Sequence, residues 1–203
     1  MPKKKMHVSF LLDQTGSMHN VKASTISAFN EYIQSLQADP NAKGVLFTLT
    51  MFNSDEIKLV HEGVKMEQVI ILNDQNYRPA STTPLYDAIG RTIRSLESTL
   101  QGKEKALVII QTDGLENASR EFTREGIFAL IKEKRDSGWA FAFMGADIDA
   151  YVVGVALGVD KGSTLSYASG QESTAMRRVG AASITYTASG GTKTSKLFSD
   201  DDD

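Results

Sequence analysis

The chain alternates between two patterns of apolar residues, one typical of buried strands and one typical of helices. Short, nearly continuous apolar runs predict strands that are covered on both faces of a sheet. A strand at 57–60 follows the turn-forming Asn53–Asp55, and we expect it to pair antiparallel with the strand before it. The other strands are expected at 8–12, 45–52, 106–110, 139–144 and 164–167.

Between the strands, apolar residues recur every three or four positions, the spacing that predicts amphipathic helices. Gly102 is expected to end the second of these helices, and Thr123 to cap the start of the third. The helices are expected at 26–36, 85–100, 123–138, 152–159 and 176–186.

Strands that alternate with helices predict an α/β fold with a doubly wound, mostly parallel central sheet, one antiparallel edge strand and helices on both faces. Residues 1–188 are expected to form one domain. The remaining residues, 189–203, are rich in small polar residues and end in four aspartates, so we expect a disordered acidic tail.

Composition narrows the class of protein without identifying a function. The 203 residues are 41% hydrophobic and 23% charged, which is ordinary for one globular domain. A net charge of −3 gives no reason to expect nucleic acid as a partner. The chain has no cysteine and no apolar run near the ~18 residues of a membrane span. We therefore expect no membrane association and a cytoplasmic or virion-associated protein.

Polar groups that suit a hard cation follow three of the predicted strands. Asp13, Thr15 and Ser17 come directly after the first strand, Thr83 begins the strongest helix, and Asp113 follows the strand at 106–110. The carboxyl ends of parallel strands meet at one edge of a sheet, where ligands bind. Two carboxylates and three hydroxyls form an all-oxygen set that Mg²⁺ prefers. The limited negative charge favours an open position for an acidic group of a partner.

The order Asp13-x-Thr15-x-Ser17, Thr83 and Asp113 resembles the metal-ion-dependent adhesion site (MIDAS) of von Willebrand factor type A (vWA) domains. The family usually has Asp-x-Ser-x-Ser first, so Thr15 departs from the pattern but keeps the hydroxyl. The likeness covers roughly residues 6–187, including Thr-Pro-Leu-Tyr-Asp-Ala-Ile and Val-Ile-Ile-Gln-Thr-Asp-Gly.

The resemblance implies a Rossmann-like vWA fold and a site whose hydroxyls ligate Mg²⁺, with Mn²⁺ or Ca²⁺ as possible substitutes. The two aspartates would act mainly through bound water. A protein ligand would supply an Asp or Glu to the metal, and the site would have no catalytic role. The family also couples ligand capture to movement of its last helix, here near 171–187. The segments 143–150 and 157–159 are similar to bacterial and phage stand-alone members.

Residues around this site are expected to form a rim that contacts the partner. Asp147 is interpreted first as a helix cap, and Glu116 first as a solvated loop residue. The neighbouring Asp87 is expected to complement the start of its own helix instead of binding metal. The candidate rim residues are His19, Tyr77, Arg78, Glu116 and Asp147.

Two other functions remain open alongside the binding module. A phosphoryl-transfer enzyme can also open with an Asp after its first strand, but it generally needs a second Asp two residues later, where this chain has Thr15. The chain could instead be an assembly component of a phage particle or bacterial complex, in which the cation only stabilises the fold. A serine hydrolase is not expected, because the chain lacks Gly-x-Ser-x-Gly.

Overall fold

A six-stranded sheet forms the centre of the protein, in the order β3-β2-β1-β4-β5-β6. The computed structural model describes residues 6–100 and 104–198, and every statement on structure below concerns these residues. Only the β2–β3 pair is antiparallel. The strands are β1 (Met6–Asp13), β2 (Leu46–Phe52), β3 (Ile57–Lys65), β4 (Lys105–Thr112), β5 (Ala140–Ala146) and β6 (Thr164–Tyr167).

Five α-helices within the described residues cover the sheet on both faces, and each follows a strand as the sequence predicts. Most of their apolar residues face the sheet, although Phe128 of α3 and Tyr151, Val152 and Val155 of α4 are exposed. The predicted doubly wound α/β fold is therefore confirmed. The helices are α1 (Lys22–Ala38), α2 (Leu85–Thr99), α3 (Arg124–Asp136), α4 (Ala150–Ala156) and α5 (Glu172–Ala188).

Alternate residues of the central strands serve two separate cores. In β1, Phe10 belongs to the core under α1 and α5, whereas Leu11 belongs to the core under α2 and α3. The same alternation in β4 sends Ile109 to the first core and Ile110 to the second. Strands that are buried on both faces are mostly apolar, which explains the nearly continuous apolar runs in the sequence.

The parallel strands all end at one edge of the sheet, which we call the carboxyl edge. The strand order reverses between β1 and β4, because β1 pairs with β2 on one side and with β4 on the other. At such a switch point the loops leave in opposite directions and open a crevice. The loops that follow β1 and β4 are the two that carry the predicted cation ligands Asp13 and Asp113.

The sequence interpretation needs correction at the cap of α4. Asp149 is the capping residue, since its side chain accepts a hydrogen bond from the N–H of Val152. Asp147, the predicted cap, has a left-handed backbone with φ of 52° and accepts hydrogen bonds from the N–H and hydroxyl of Ser169. The two aspartates are two residues apart, and only the turn between them decides which one reaches the helix.

The chain beyond α5 also differs from the expected disordered tail. Leu197 and Phe198 are buried, and the N–H of Phe198 donates to the carbonyl of Gly162. Residues 192–196, which precede this apolar pair, are mostly polar. The sequence therefore resembles a disordered tail, although the segment is packed against the domain. Residues 199–203 and the predicted Gly102 cap lie outside the described residues.

Both ends of the described chain lie at the edge opposite the carboxyl edge. Met6 pairs with Lys105 at the start of β4. At the other end, Phe198 is bonded to Gly162, which lies just before the start of β6. Among residues 6–100 and 104–198, none of the helices has the length and hydropathy needed to traverse a lipid bilayer.

Asp87 lies in the first turn of α2, where its charge complements the start of the helix as expected, and it also fixes the loop after β4. Its buried carboxylate accepts hydrogen bonds from the backbone N–H groups of Arg120, Glu121 and Phe122, each at 2.9 Å. Burial raises the pKa of this carboxyl, but the three donors outweigh it and hold the pKa below the usual value of 3.8. The carboxylate therefore joins two segments that are more than 30 residues apart.

We predict that Asp87→Asn lowers the free energy of unfolding by about 1–3 kcal/mol, because the amide turns an N–H₂ towards a backbone N–H. The lowered pKa adds stability above pH 3.8 that is lost as the pH falls below this value. Urea unfolding at pH 7 and pH 3 measures both effects. Asp136→Asn, at an exposed ion pair with Lys132, is the control and should change little. Equal unfolding energies for the two variants would contradict the assignment.

Candidate metal centre

Three loops converge at the switch point of the carboxyl edge. The first follows β1 and carries Asp13, Thr15 and Ser17; the second precedes α2 and carries Thr83; the third follows β4 and carries Asp113. The structure thus brings together the five residues that the sequence proposes as cation ligands. Their contacts show how this arrangement is held.

Asp13 anchors the first loop from a fully buried position at the end of β1. Its Oδ1 accepts the N–H of Thr15 at 2.7 Å, and its Oδ2 accepts the hydroxyl of Thr112 at 2.5 Å. Its own carbonyl accepts the hydroxyl of Tyr77 at 2.7 Å. The carboxylate therefore ties the loop to β4, while the carbonyl ties it to the segment before α2.

The hydroxyls of the first loop point towards the third loop. The Oγ1 of Thr15 lies 3.3 Å from the Oγ of Ser17, and that Oγ donates to the Oδ1 of Asp113 at 2.6 Å. Thr15 does not use its hydroxyl to cap the 3₁₀ turn that it begins. Its oxygen is consequently available on the side that faces Ser17.

Thr83 faces the same space from the second loop. Its backbone is fixed by Asn117, which accepts the Thr83 N–H at 2.8 Å and donates its own N–H to the Thr83 carbonyl at 3.1 Å. A Cβ built on Gly114 would lie 3.1 Å from the Oγ1 of Thr83 and 3.9 Å from the Oγ of Ser17. Because Gly114 has no side chain, a small space remains open between these hydroxyls. We call the hydroxyls of Thr15, Ser17 and Thr83, with this space, the hydroxyl cradle.

Burial leaves the two acidic groups of the centre short of compensating charge. It raises the pKa of the Asp13 carboxyl to about 6, against the opposing hydrogen bonds from Thr112 and Thr15. Burial also raises the pKa of Asp113, with the hydrogen bond from Ser17 opposing it and the negative charge of Asp147 adding to it. A cation in the hydroxyl cradle would meet this negative charge.

The donor set fits a hard divalent cation. The cradle supplies neutral hydroxyl oxygens, and Asp13 and Asp113 supply carboxylate oxygens, as Mg²⁺ and related ions require. In the described part of the chain, no group of three or more His, Asp or Glu side chains is placed to hold a metal. A centre that draws most of its donors from Ser and Thr would not form such a group.

Tyr77 is not a rim residue, which corrects the sequence interpretation. Its side chain is 0% exposed and its hydroxyl is used by the carbonyl of Asp13. It therefore supports the loop after β1 from inside the protein. The neighbouring Arg78 is exposed, and so is His19, which follows the first loop.

Glu116 holds the loop that follows Asp113 and is not free at the rim. Its carboxylate accepts the N–H groups of Tyr86, Ala118 and Ser119, and also the hydroxyl of Ser119. Through the N–H of Tyr86 it also complements the start of α2, together with Asp87. Asp147 is exposed at the carboxyl edge and close enough for its charge to affect Asp113.

Sequence reasoning missed two residues that position the centre. Thr112 donates to Asp13, and its place follows from the parallel register, in which Leu12 lies opposite Gln111. The sequence does not state that β1 pairs with β4, so this signal was hidden. Asn117 lies 34 residues from Thr83, and no local pattern predicts their contact.

Comparisons with known proteins by sequence give no match, either to a family model or to a curated protein. Solved structures do match. Proximal thread matrix protein 1 from the mussel byssus, in a form described as having a zinc-occupied MIDAS motif, has a TM-score of 0.65 and 13% identity. The match covers 90% of this chain and 46% of that one.

Two bacterial structures are similar to the chain to the same degree. The von Willebrand factor domain of the type V pili tip protein Mfa5 from Porphyromonas gingivalis has a TM-score of 0.66 and 10% identity, over 89% of this chain and 95% of that one. A von Willebrand factor type A protein from Catenulispora acidiphila has a TM-score of 0.62 and 14% identity, over 90% and 43%.

These likenesses establish the fold. The chain has the fold of von Willebrand factor type A domains, as the sequence resemblance implies. It spans about half the length of the mussel protein that it matches. At identities of 10–14%, these matches support the fold alone and do not indicate a ligand or a partner.

We predict that Asp13→Asn raises the stability of the metal-free protein at pH 7. A raised pKa means that the contribution of Asp13 to stability is complete below pH 3.8 and is lost as the pH rises through about 6. Removing the charge should raise the free energy of unfolding by up to about 3 kcal/mol at pH 7 and change it little below pH 4. The new amide can donate to Thr112, whose hydroxyl then turns to the Gly114 carbonyl at 3.1 Å.

Urea unfolding in the presence of chelator, at pH 4 and pH 7, measures this difference. Asp74→Asn is the control, because Asp74 is an exposed partner of Lys22 and its loss should cost less than about 1 kcal/mol. An Asp13→Asn variant that is less stable than the parent protein at pH 7 would contradict the electrostatic assignment.

We also predict that Gly114→Ala weakens binding of Mn²⁺ by roughly tenfold or more, because the new methyl group enters the hydroxyl cradle. Gly114 does not have a left-handed backbone, so alanine adds no backbone strain there. Gly126→Ala is the matched control, since its Cβ would make an ordinary 3.4 Å contact in α3. Calorimetric titration compares the two, and equal affinities would show that the ion does not occupy the cradle.

Proposed function

We propose that the protein is a metal-dependent binding module that captures an acidic residue of a partner protein through a divalent cation. Mg²⁺ is the proposed ion, with Mn²⁺ or Ca²⁺ as alternatives. Ser17, Thr15 and Thr83 would hold it by their hydroxyls, and Asp13 and Asp113 mainly through water. The bound ion would supply an electrophilic position for the partner's carboxylate.

The observation that carries this proposal is the space above Gly114. It is bordered by the hydroxyls of Thr83 and Ser17, and Ser17 is bonded to Asp113. Ser17 is exposed and Asp113 is only half-buried, so the cradle is open towards solvent. A ligand can reach it from that side without movement of the core.

The charge balance supports an acidic partner. The cradle contributes neutral oxygens, and Asp13 directs both carboxylate oxygens towards donors in the protein. A divalent cation held in this way keeps part of its charge, which an external carboxylate can meet. The exposed His19 and Arg78 are proposed to belong to the rim that the partner contacts.

The burial of Asp13 supports a non-enzymatic role. A phosphoryl-transfer enzyme would need this carboxylate as an accessible nucleophile, whereas its side chain is 0% exposed and bonded through both oxygens. Two of the matching structures named above are described as a matrix protein and a pilus tip protein. Absence of turnover with a generic phosphoester is the expected result.

The binding module and an assembly component with a purely stabilising cation can be distinguished by measuring two quantities in the same variants: the affinity for the partner and the stability of the fold. The cytoplasmic or virion-associated location and the bacterial or phage origin stay predictions from the sequence. We also propose that α5 moves on ligand binding and that the partner is a protein, not nucleic acid or a membrane.

We predict that the metal-stripped protein binds one Mg²⁺ or Mn²⁺, and that Asp13→Ala abolishes this binding while the fold remains, because the fold rests on the two apolar cores. Thr83→Ala should weaken binding by roughly tenfold or more, through loss of one oxygen donor. Thr92→Ala is the matched control, since Thr92 is equally buried but lies within α2. Calorimetric titration and circular dichroism measure affinity and folding.

Saturable binding that is lost in Asp13→Ala but kept in Thr92→Ala supports the centre. Undiminished binding in Asp13→Ala would show that the site is assigned wrongly. If the ion binds and raises the unfolding temperature, but no acidic peptide from a random library binds in a metal-dependent way, the assembly role replaces the binding role.

A further inference from the structure

A polar groove of about 1020 Å³ opens beside the metal centre at the carboxyl edge. One wall is the turn between β2 and β3, residues 53–57, and the other is the loop at 117–121. The first turns of α2 form its floor, with Pro84, Asp87 and Arg91 among the lining residues. We call this feature the side groove. Nothing in the proposed function uses it so far.

The side groove is joined directly to the loops of the metal centre. Ser81 accepts the N–H of Gly16, between Thr15 and Ser17, at 2.9 Å, and its hydroxyl donates to Asp55 at 2.5 Å. Ser81 has a left-handed backbone with φ of 64°, which is uncommon for a serine, and these two hydrogen bonds hold it there. One residue therefore separates the metal loop from the wall of the groove.

The other wall is attached to the centre through Asn117. This residue lines the side groove and also makes both backbone contacts to Thr83. Asn117 therefore joins this wall to the loop that carries Thr83. The groove and the cradle are neighbours, and an extended polypeptide that places a carboxylate over the cradle needs only a few residues to reach the groove.

Most of the charges that line the groove are already compensated. Asp87 accepts three backbone N–H groups, and Glu121 pairs with Arg91 at 2.7 Å. Within residues 6–100 and 104–198, the side chains of the exposed Glu56 and Arg120 make no hydrogen bond or ion pair. These two charges are free to meet a ligand.

The free charges differ between the walls. The turn between the strands carries Glu56 beside Asp55, so this wall is negative. The opposite wall carries Arg120, which repels a positive group and favours its placement on the negative wall. The lining is predominantly polar, so the groove suits an extended hydrophilic segment more than the apolar face of a helix.

We propose that the side groove receives the extended segment of the partner that flanks its acidic residue, and that a lysine or arginine of this segment pairs with Glu56 and Asp55. This inference rests on the proposed function and adds a second specificity element to it. The partner is therefore recognised by an acidic residue at the cation and a basic residue at a fixed distance from it. A partner that offers only the acidic residue binds more weakly.

The test selects peptides from a random 12-residue library on the Mg²⁺-loaded protein and sequences those that chelator releases. Glu56→Lys is the informative variant, because Glu56 is exposed and its side chain holds no other residue. Glu67→Lys is the matched control: it makes the same change in net charge on an exposed residue at the opposite edge of the sheet. Thr83→Ala reports on the metal centre alone.

We expect selected peptides to share an acidic residue and a Lys or Arg at constant spacing from it. Glu56→Lys should bind them roughly five- to tenfold more weakly than Glu67→Lys, as expected for reversal of an exposed ion pair. Changing the peptide's basic residue to Glu should restore binding to Glu56→Lys, which identifies the pair directly.

The possible failures are distinguishable. If peptides bind in a metal-dependent way and lose affinity in Thr83→Ala, but Glu56→Lys and Glu67→Lys bind them equally, the groove inference is overturned and the proposed function stands. If no selected peptide depends on the metal, the proposed function fails and this inference fails with it.

Discussion

The burial of the Asp13 carboxylate is the constraint on which the carboxyl edge depends. A charged group without access to water must find donors within the protein, or its burial destabilises the fold. Asp13 finds them in the backbone of Thr15 and the hydroxyl of Thr112, and so it fixes the first loop against β4. These donors do not fully offset the loss of hydration of the charged carboxylate, and burial therefore raises its pKa to about 6.

Two of the loops around Asp13 are also held by backbone contacts that do not use the side-chain hydroxyls of the cradle. Thr83 is positioned through its N–H and carbonyl by Asn117, and Gly16 through its N–H by Ser81. In each case the group that fixes the loop is different from the group that faces the cradle. This separation allows the centre to be preformed, so that a cation has little reorganisation to drive.

Much of the fold follows from the sequence, because strands buried on both faces leave continuous apolar runs and helices leave a regular stripe. The predictions that were wrong concern neighbouring polar residues in loops, where the sequence does not show which side chain is buried or makes a given contact. Tyr77 and Arg78 are adjacent loop residues, and only the tertiary contact with Asp13 decides that the tyrosine is buried. The five proposed ligands could be placed at one edge of the sheet from the sequence, because each lies at the end of a strand, in the loop after one, or just before a helix. Their supporting residue Thr112 could not, because its role depends on which strands are neighbours.

The placement of the described chain ends has a consequence for ligand access. Met6 pairs with Lys105 and Phe198 is bonded to Gly162, both at the edge opposite the candidate metal centre. The hydroxyl cradle and the side groove lie at the carboxyl edge, so neither described end takes up any of the surface that a ligand would contact. A ligand can therefore use the whole carboxyl edge without displacing either end.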